Sequence, residues 1–149
     1  MGISGDWYNG IGSHMRITAD PTGCIRGTYV SAAGHAVGTY PLVGRCEVAA
    51  VPDHGTPLGW TVAWRNGRTD AGSVTSWSGQ YYDDGGERIC ATWLLTASTT
   101  AANTWEATAV GQDVFTREPP SPEQAEQRLR HAGTASHSSP VSVGEVTPV

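Results

Sequence analysis

LGWTVAW (residues 58–64), SVTSWSGQYY (73–82) and RICATWLL (88–95) follow one another through the middle of the chain and carry four of its six tryptophans. Each alternates apolar with polar or small residues, the period of an extended strand. Leu58, Trp60, Val62 and Trp64 share one face of the first run, Ser73, Thr75 and Trp77 one face of the second. Ile89, Ala91, Trp93 and Leu95 share one face of the third. Three neighbouring strands thus send indole rings and small hydroxyls to the same side. Rigid aromatics mixed with hydroxyls suit a binding pocket, but a sheet core with tryptophans lying near the surface has the same pattern.

Outward from this centre the chain keeps reading as short strands. Trp7, Asn9 and Ile11 alternate before a turn at Gly12; Met15 and Ile17 follow in phase with Ser13. Asp20-Pro21-Thr22-Gly23 fits a type I turn and leads into a strand from Cys24 to Ser31 with Ile25, Gly27, Tyr29 and Ser31 aligned. A small-residue loop, 32–36, precedes a fourth strand of poor alternation over about 38–49, broken by Pro41 and Gly44. Asn66-Gly67 and Asp83-Asp84-Gly85-Gly86 are hairpin turns. The last strand, 104–116, aligns Ala109, Gly111, Asp113 and Phe115. Eight strands, hairpin connections and no helix between them predict an all-β, eight-stranded antiparallel up-and-down β-barrel, a meander with one ligand pocket. A tube of eight strands holds one small ligand.

The chain of 149 residues, with nineteen glycines and nine prolines, suits one turn-rich domain. Only 15% of residues are charged and the formal net charge is −5, which argues against a nucleic-acid partner. No apolar run nears the ~20 residues of a membrane-spanning helix. No leader pattern precedes Trp7, so a secretory signal is expected to be absent from the chain. From Arg117 the composition shifts. Residues 1–117 read as the barrel, and 118–149 as a disordered Pro/Ser-rich tail. Within that tail, Ser121-Pro122-Glu123-Gln124 carries a helix-start pattern, but the segment to Arg130 is shorter than the ~12–15 residues an isolated helix needs.

Trp7-Tyr8-Asn9, Gly27-Thr28-Tyr29 with Ser31, LGWTVAW, WSGQY, WLLT and Val110-Gly111-Gln112-Asp113 together resemble the avidin/streptavidin family of biotin-binding proteins, its streptavidin branch in particular. The resemblance runs from about Gly5 to Thr116. It implies non-covalent, high-affinity biotin binding, no catalysis, no cofactor and a secreted, extracellular protein, with sequestration or defence as its purpose. Asn9, Ser13 and Tyr29 match donors to the ureido oxygen, and Ser31 and Asp113 match acceptors of the ureido N–H groups. Thr75 matches the hydroxyl at the ring sulfur; Trp64, Trp77 and Trp93 match the aromatic box. Ser73 and the backbone N–H at His35 match the partners of the tail carboxylate. Trp105 matches a tryptophan lent by a neighbouring subunit, so the resemblance implies a homo-oligomer, a tetramer, with its site shared across the interface. His35 stands where the streptavidin branch has Asn, and Ala33 where it has Val.

The alternative is a lipocalin-like barrel carrying another small hydrophobic ligand, which would want an apolar lining. An enzyme using Asp113 and Tyr29 as acid and base lacks an adjacent nucleophile–base pair or a metal set. His14, His54, His131 and His137 read as exposed side chains without a metal role. Cys24 and Cys46 lie equally far from His35, so they face each other across a hairpin if its ends are in register; a disulfide there is possible but geometrically demanding. Cys90, out of phase with Trp93, points outward.

Overall fold

The computed structural model describes residues 2–34 and 36–131. Eight strands run in chain order: β1 Gly5–Tyr8, β2 His14–Ala19, β3 Cys24–Val30, β4 Tyr40–Cys46, β5 Thr56–Arg65, β6 Asp70–Tyr82, β7 Arg88–Ala97 and β8 Thr108–Thr116. Each pairs antiparallel with the next, and β8 returns to β1, so the sheet closes on itself as an up-and-down barrel. Closure removes the exposed edges an open sheet would present.

Burial follows the alternation residue by residue. Leu58, Trp60, Val62 and Trp64 are buried on β5, and Ile89, Ala91, Trp93 and Leu95 on β7. Trp7, Met15, Ile17, Ile25, Tyr29, Leu42 and Phe115 complete the interior. The β5–β6 register shifts between Ala63 and Arg65, so Trp64 sits at a bulge, a device that re-aims a side chain. Gly111 on β8 lies against the Trp93 ring with no room for a Cβ; its missing side chain lets the indole approach the neighbouring strand.

Four expectations need correction. The fourth strand is shorter than 38–49. Asn66 Nδ2 takes the Val37 and Thr39 carbonyls before it starts, and the Glu47 carboxylate accepts from the Val48 and Ala49 N–H groups after it ends. The third strand stops at Val30, leaving Ser31 in the following loop. The eighth begins at Thr108 rather than 104, because Ala101–Glu106 coil into a 3-10 helix between β7 and β8. Finally, the tail does not begin as disordered chain: Pro122–His131 form a helix, α1. The Ser121 hydroxyl accepts from the Gln124 N–H, and the Gln124 side chain accepts from the Ser121 N–H, each at 3.2 Å. That reciprocal cap starts α1, and contact with the barrel offsets its shortness. The remainder of the tail, from 132, lies outside the described residues. Among the described residues no helix is long and apolar enough to cross a membrane.

The seam between β1 and β8 is narrow, with Tyr8↔Thr116 its registered pair. Side chains complete it. The Arg117 guanidinium donates to the carbonyls of Gly2, Ser4 and Asp6 and to Glu87, and lies 3.7 Å over the Trp7 ring. Trp7 in turn donates its indole N–H to the Ile3 carbonyl at 2.7 Å.

Candidate functional site

Asn9 occupies the first position of the β1–β2 turn. Its side-chain oxygen accepts the N–H groups of Ile11 at 3.2 Å and Ser13 at 2.9 Å. Gly12 takes φ +91, a conformation glycine adopts without steric cost, and its N–H closes onto the Asn9 carbonyl. With its oxygen committed to the turn, the Asn9 amide must present Nδ2 the other way. That nitrogen donates to Asp113 Oδ1 at 3.2 Å across the seam. The second Asp113 oxygen accepts from Trp77 Nε1 at 3.0 Å. Tyr29 is fully buried, stacked 5.0 Å from Trp77, and its phenol is hydrogen-bonded to Ser13. Burial first, and the Asp113 charge second, push the Tyr29 phenol well above its ordinary pKa of 10.0, against the opposing effect of Ser13. Tyr29 is thereby held as a neutral hydroxyl. Ser13 Oγ also accepts the Ala32 N–H at 3.0 Å, tying the β3–β4 loop to this end. Asn9, Ser13, Tyr29, Trp77 and Asp113 are thus one connected polar cluster inside an aromatic tube.

Along the tube Trp64 stands edge-on to Tyr29, and its ring centroid lies 6.4 Å from that of Trp77. Trp64 Nε1 donates to Thr75 Oγ1 at 2.8 Å, joining the β5 indole to the β6 hydroxyl. Trp93 faces the interior from β7, opposite Gly111. Ser73 opens the same face of β6, and its Oγ is buried with no hydrogen-bond partner among the described residues. A buried hydroxyl in that state costs stability until something occupies it. Trp60 Nε1 is a second such atom, deeper among Trp77 and Phe115; its inward position was readable, but its lack of a partner was not.

Ser31 Oγ donates to the Ala33 carbonyl at 2.9 Å, within its own loop. Trp105, on the 3-10 helix, is 80% exposed and reaches no part of its own chain's site. His35 lies outside the described residues. The histidine expectation is also altered: His14 is half-buried, hydrogen-bonded to Asp6 at 2.8 Å and stacked on Tyr8. His137 lies outside the described residues.

Cys24 registers with Arg45, whose guanidinium donates to its sulfur at 2.9 Å. Cys46 is one position further along and buried, so the two thiols occupy opposite faces and no disulfide joins them. Burial pushes the Cys46 thiol up. Cys90 points to the outer wall, as its phase predicted.

A cavity of about 580 Å³ adjoins the polar cluster. Asn9, Trp93 and Asp113 border it on the barrel side, and Gln124, Arg128 and Leu129 of α1 on the other. The α1 residues are absent from the predicted site; the Ser121–Gln124 capping pattern announced a helix but not where it would dock.

A family model described as the avidin family matches residues 1–118. Avidin of Gallus gallus is 32% identical over 129 residues, 77% of each chain. Avidin-related protein 4/5 of Gallus gallus is 34% identical over 123 residues, again 77% of each. Afifavidin of Afifella pfennigii is 36% identical over 80 residues, which cover 52% of this chain and 46% of the relative. With the family match spanning all eight strands and the polar cluster lying at the barrel's seam, the chain belongs to the avidin family, a family of binding proteins rather than enzymes.

Proposed function

We propose that this protein binds biotin non-covalently and catalyses no reaction. The observation that carries the reading is the Asn9–Asp113–Trp77 cluster with the Ser13–Tyr29 pair beside it. Neutral donors and one carboxylate meet there at the same end of an indole-lined tube. A cyclic urea needs that combination: donors for its oxygen and acceptors for its two N–H groups. Convergent donors draw charge onto the urea oxygen while Asp113 polarises the ring from the other side, so the bonds reinforce one another. Ser31 supplies the second acceptor through its hydroxyl oxygen, which can accept while its proton stays on the Ala33 carbonyl.

The rest of the ligand follows the same face of β6. From Trp77 to Ser73 the strand advances roughly 13 Å, on the scale of a small fused bicycle with a short acid tail. Thr75, midway, meets the ring sulfur with its hydroxyl, and the Ser73 hydroxyl, which has no partner among the described residues, receives the carboxylate together with the backbone at His35. Trp64, Trp77 and Trp93 enclose the bicycle, and the apolar area they cover supplies most of the raw affinity. A purely hydrophobic ligand would set apolar surface against the Asn9–Asp113–Trp77 cluster and strip its exposed polar edges of water without replacing those bonds, so the lipocalin-like alternative is disfavoured.

The site is completed by a second copy of the chain. Val74, Leu94, Val110 and Val114 line the outer wall of β6–β8, each more than 40% exposed, with Leu94 directly opposite Val110. Trp105 stands exposed beside that wall, poised to be lent to a neighbour's tube in a homotetramer. Secretion and a sequestering role follow from the same reading.

Titrating the purified protein with biotin while following tryptophan emission tests the proposal. Binding quenches or shifts the emission and raises the melting temperature; no change in either, at saturating biotin, ends it.

A further inference from the structure

The β1–β2 turn that carries Asn9 and Ser13 is gripped from both sides. On the inside, Asn9 Oδ1 accepts the Ile11 N–H. On the outside, Arg128 Nη1 of α1 donates to the Gly10 carbonyl at 3.1 Å. The Gly10 carbonyl and the Ile11 N–H are the two polar edges of one planar peptide and point in opposite directions. Arg128 therefore holds the far edge of the same peptide that holds the Asn9 side chain. Gly10 and Gly12 leave the turn without side chains on this flank: a Cβ at Gly10 would stand 3.2 Å from the Arg128 guanidinium, and one at Gly12 4.0 Å from the Ala125 methyl. The helix consequently lies on bare backbone. Pro119 and Pro120 turn the chain back after β8, the reciprocal Ser121–Gln124 cap starts α1, and the helix forms one wall of the cavity bordering Asn9 and Asp113. The family match ends at 118, before α1 begins.

We propose that α1 is a positioning element for the ligand site, with Arg128 as its positioning residue. By clamping the Gly10–Ile11 peptide it keeps the Asn9 oxygen engaged with the turn and Asn9 Nδ2 directed at the ligand's urea oxygen. This rests on the biotin reading for its ligand, but the clamp itself is a property of the free protein.

The test uses the full chain with Arg128→Ala and Arg128→Lys, each in wild-type and Asn9→Ala backgrounds. Two readouts apply: biotin dissociation by competition, and amide hydrogen exchange at Ile11 without ligand. Arg128→Ala is expected to release biotin about two- to tenfold faster, the range one hydrogen bond allows. It should speed Ile11 exchange by a similar factor. Arg128→Lys, whose ammonium can still reach the carbonyl, should recover most of both. In the Asn9→Ala background Arg128→Ala should change release no further. Unchanged release and exchange in Arg128→Ala overturn the proposal, as does equal acceleration in both backgrounds, which would mark a general loosening. Should the wild-type protein fail to bind biotin, the ligand reading falls alone, and Ile11 exchange still decides for or against the clamp.

Discussion

The continuous wall β5–β8 and the seam between β8 and β1 close the same barrel by different means. On the wall, ladders run long; β6 and β7 stay in register from Ser73↔Ala97 to Tyr82↔Arg88. At the seam, one registered pair is supplemented by side chains, the Asn9–Asp113 bond and the Arg117 clamp. Where the backbone carries the closure, side chains on both faces are available for other work. The wall's inner face holds indoles, and its outer face holds valines, a leucine and the neighbouring Trp105. Where side chains carry the closure, the polar groups that present a ligand's partners also hold the protein shut. Binding and stability should therefore separate on the wall and move together at the seam.

The largest effect expected is Trp105→Lys. An indole covers some 150–250 Å², worth up to about 4–6 kcal/mol at full burial. Calorimetry should show biotin affinity falling by a large part of that, and sedimentation should show the oligomer loosening. The barrel's own melting should hold, because Trp105 is 80% exposed and buries little area against the described residues of its own chain. Wild-type affinity in this variant would break the shared-site half of the comparison.

Asp113→Ala comes next. It leaves Asn9 Nδ2 and Trp77 Nε1 without their acceptor, at ~1–3 kcal/mol each, and removes the ligand's acceptor too. Affinity and melting temperature should fall together; loss of affinity with unchanged melting would show that the seam closes without this bond. Arg117→Met keeps an apolar stem over Trp7 but loses the guanidinium's carbonyl and Glu87 bonds. Denaturant unfolding should report about 1–3 kcal/mol less stability, with biotin affinity in the surviving folded protein nearly unchanged.

The smallest effect is one of pH. Hydrogen bonds from Arg117 and Tyr81 hold the Glu87 carboxyl below its ordinary value of 4.5. A depressed folded-state pKa means stability present above the unfolded value and lost as pH falls through the folded one. Acid should thus weaken the seam below about pH 4.5, and Arg117→Met should flatten that part of the stability–pH curve. The same slope in both proteins would remove Glu87 from the clamp.

Strand existence and facing were legible because both are local. Trp60, Trp64, Trp77 and Trp93 face inward as their alternation says, and the turn residues fall where their backbone preferences put them. The proposed site rests chiefly on motif resemblance: Asn9 or Ser13 alone reads as an ordinary turn residue. Register was not legible. Equal spacing from His35 suggested Cys24 opposite Cys46, but the hairpin slips by one, bringing Arg45 there instead. Since facing alternates at every residue, that single slip sends the two sulfurs to opposite sides.

Period-two alternation and turn chemistry determine by themselves that this chain makes strands, how many, and which side chains the cleanly alternating ones turn inward, because side-chain direction depends on near neighbours alone; β4, broken by Pro41 and Gly44, is the exception. Tertiary structure alone decides that Asn9 aims at Asp113, 104 residues away, that Arg117 reaches over Trp7, and that Arg128 lands on Gly10 118 residues earlier. Those contacts depend on where the barrel closes, and closure depends on every strand at once.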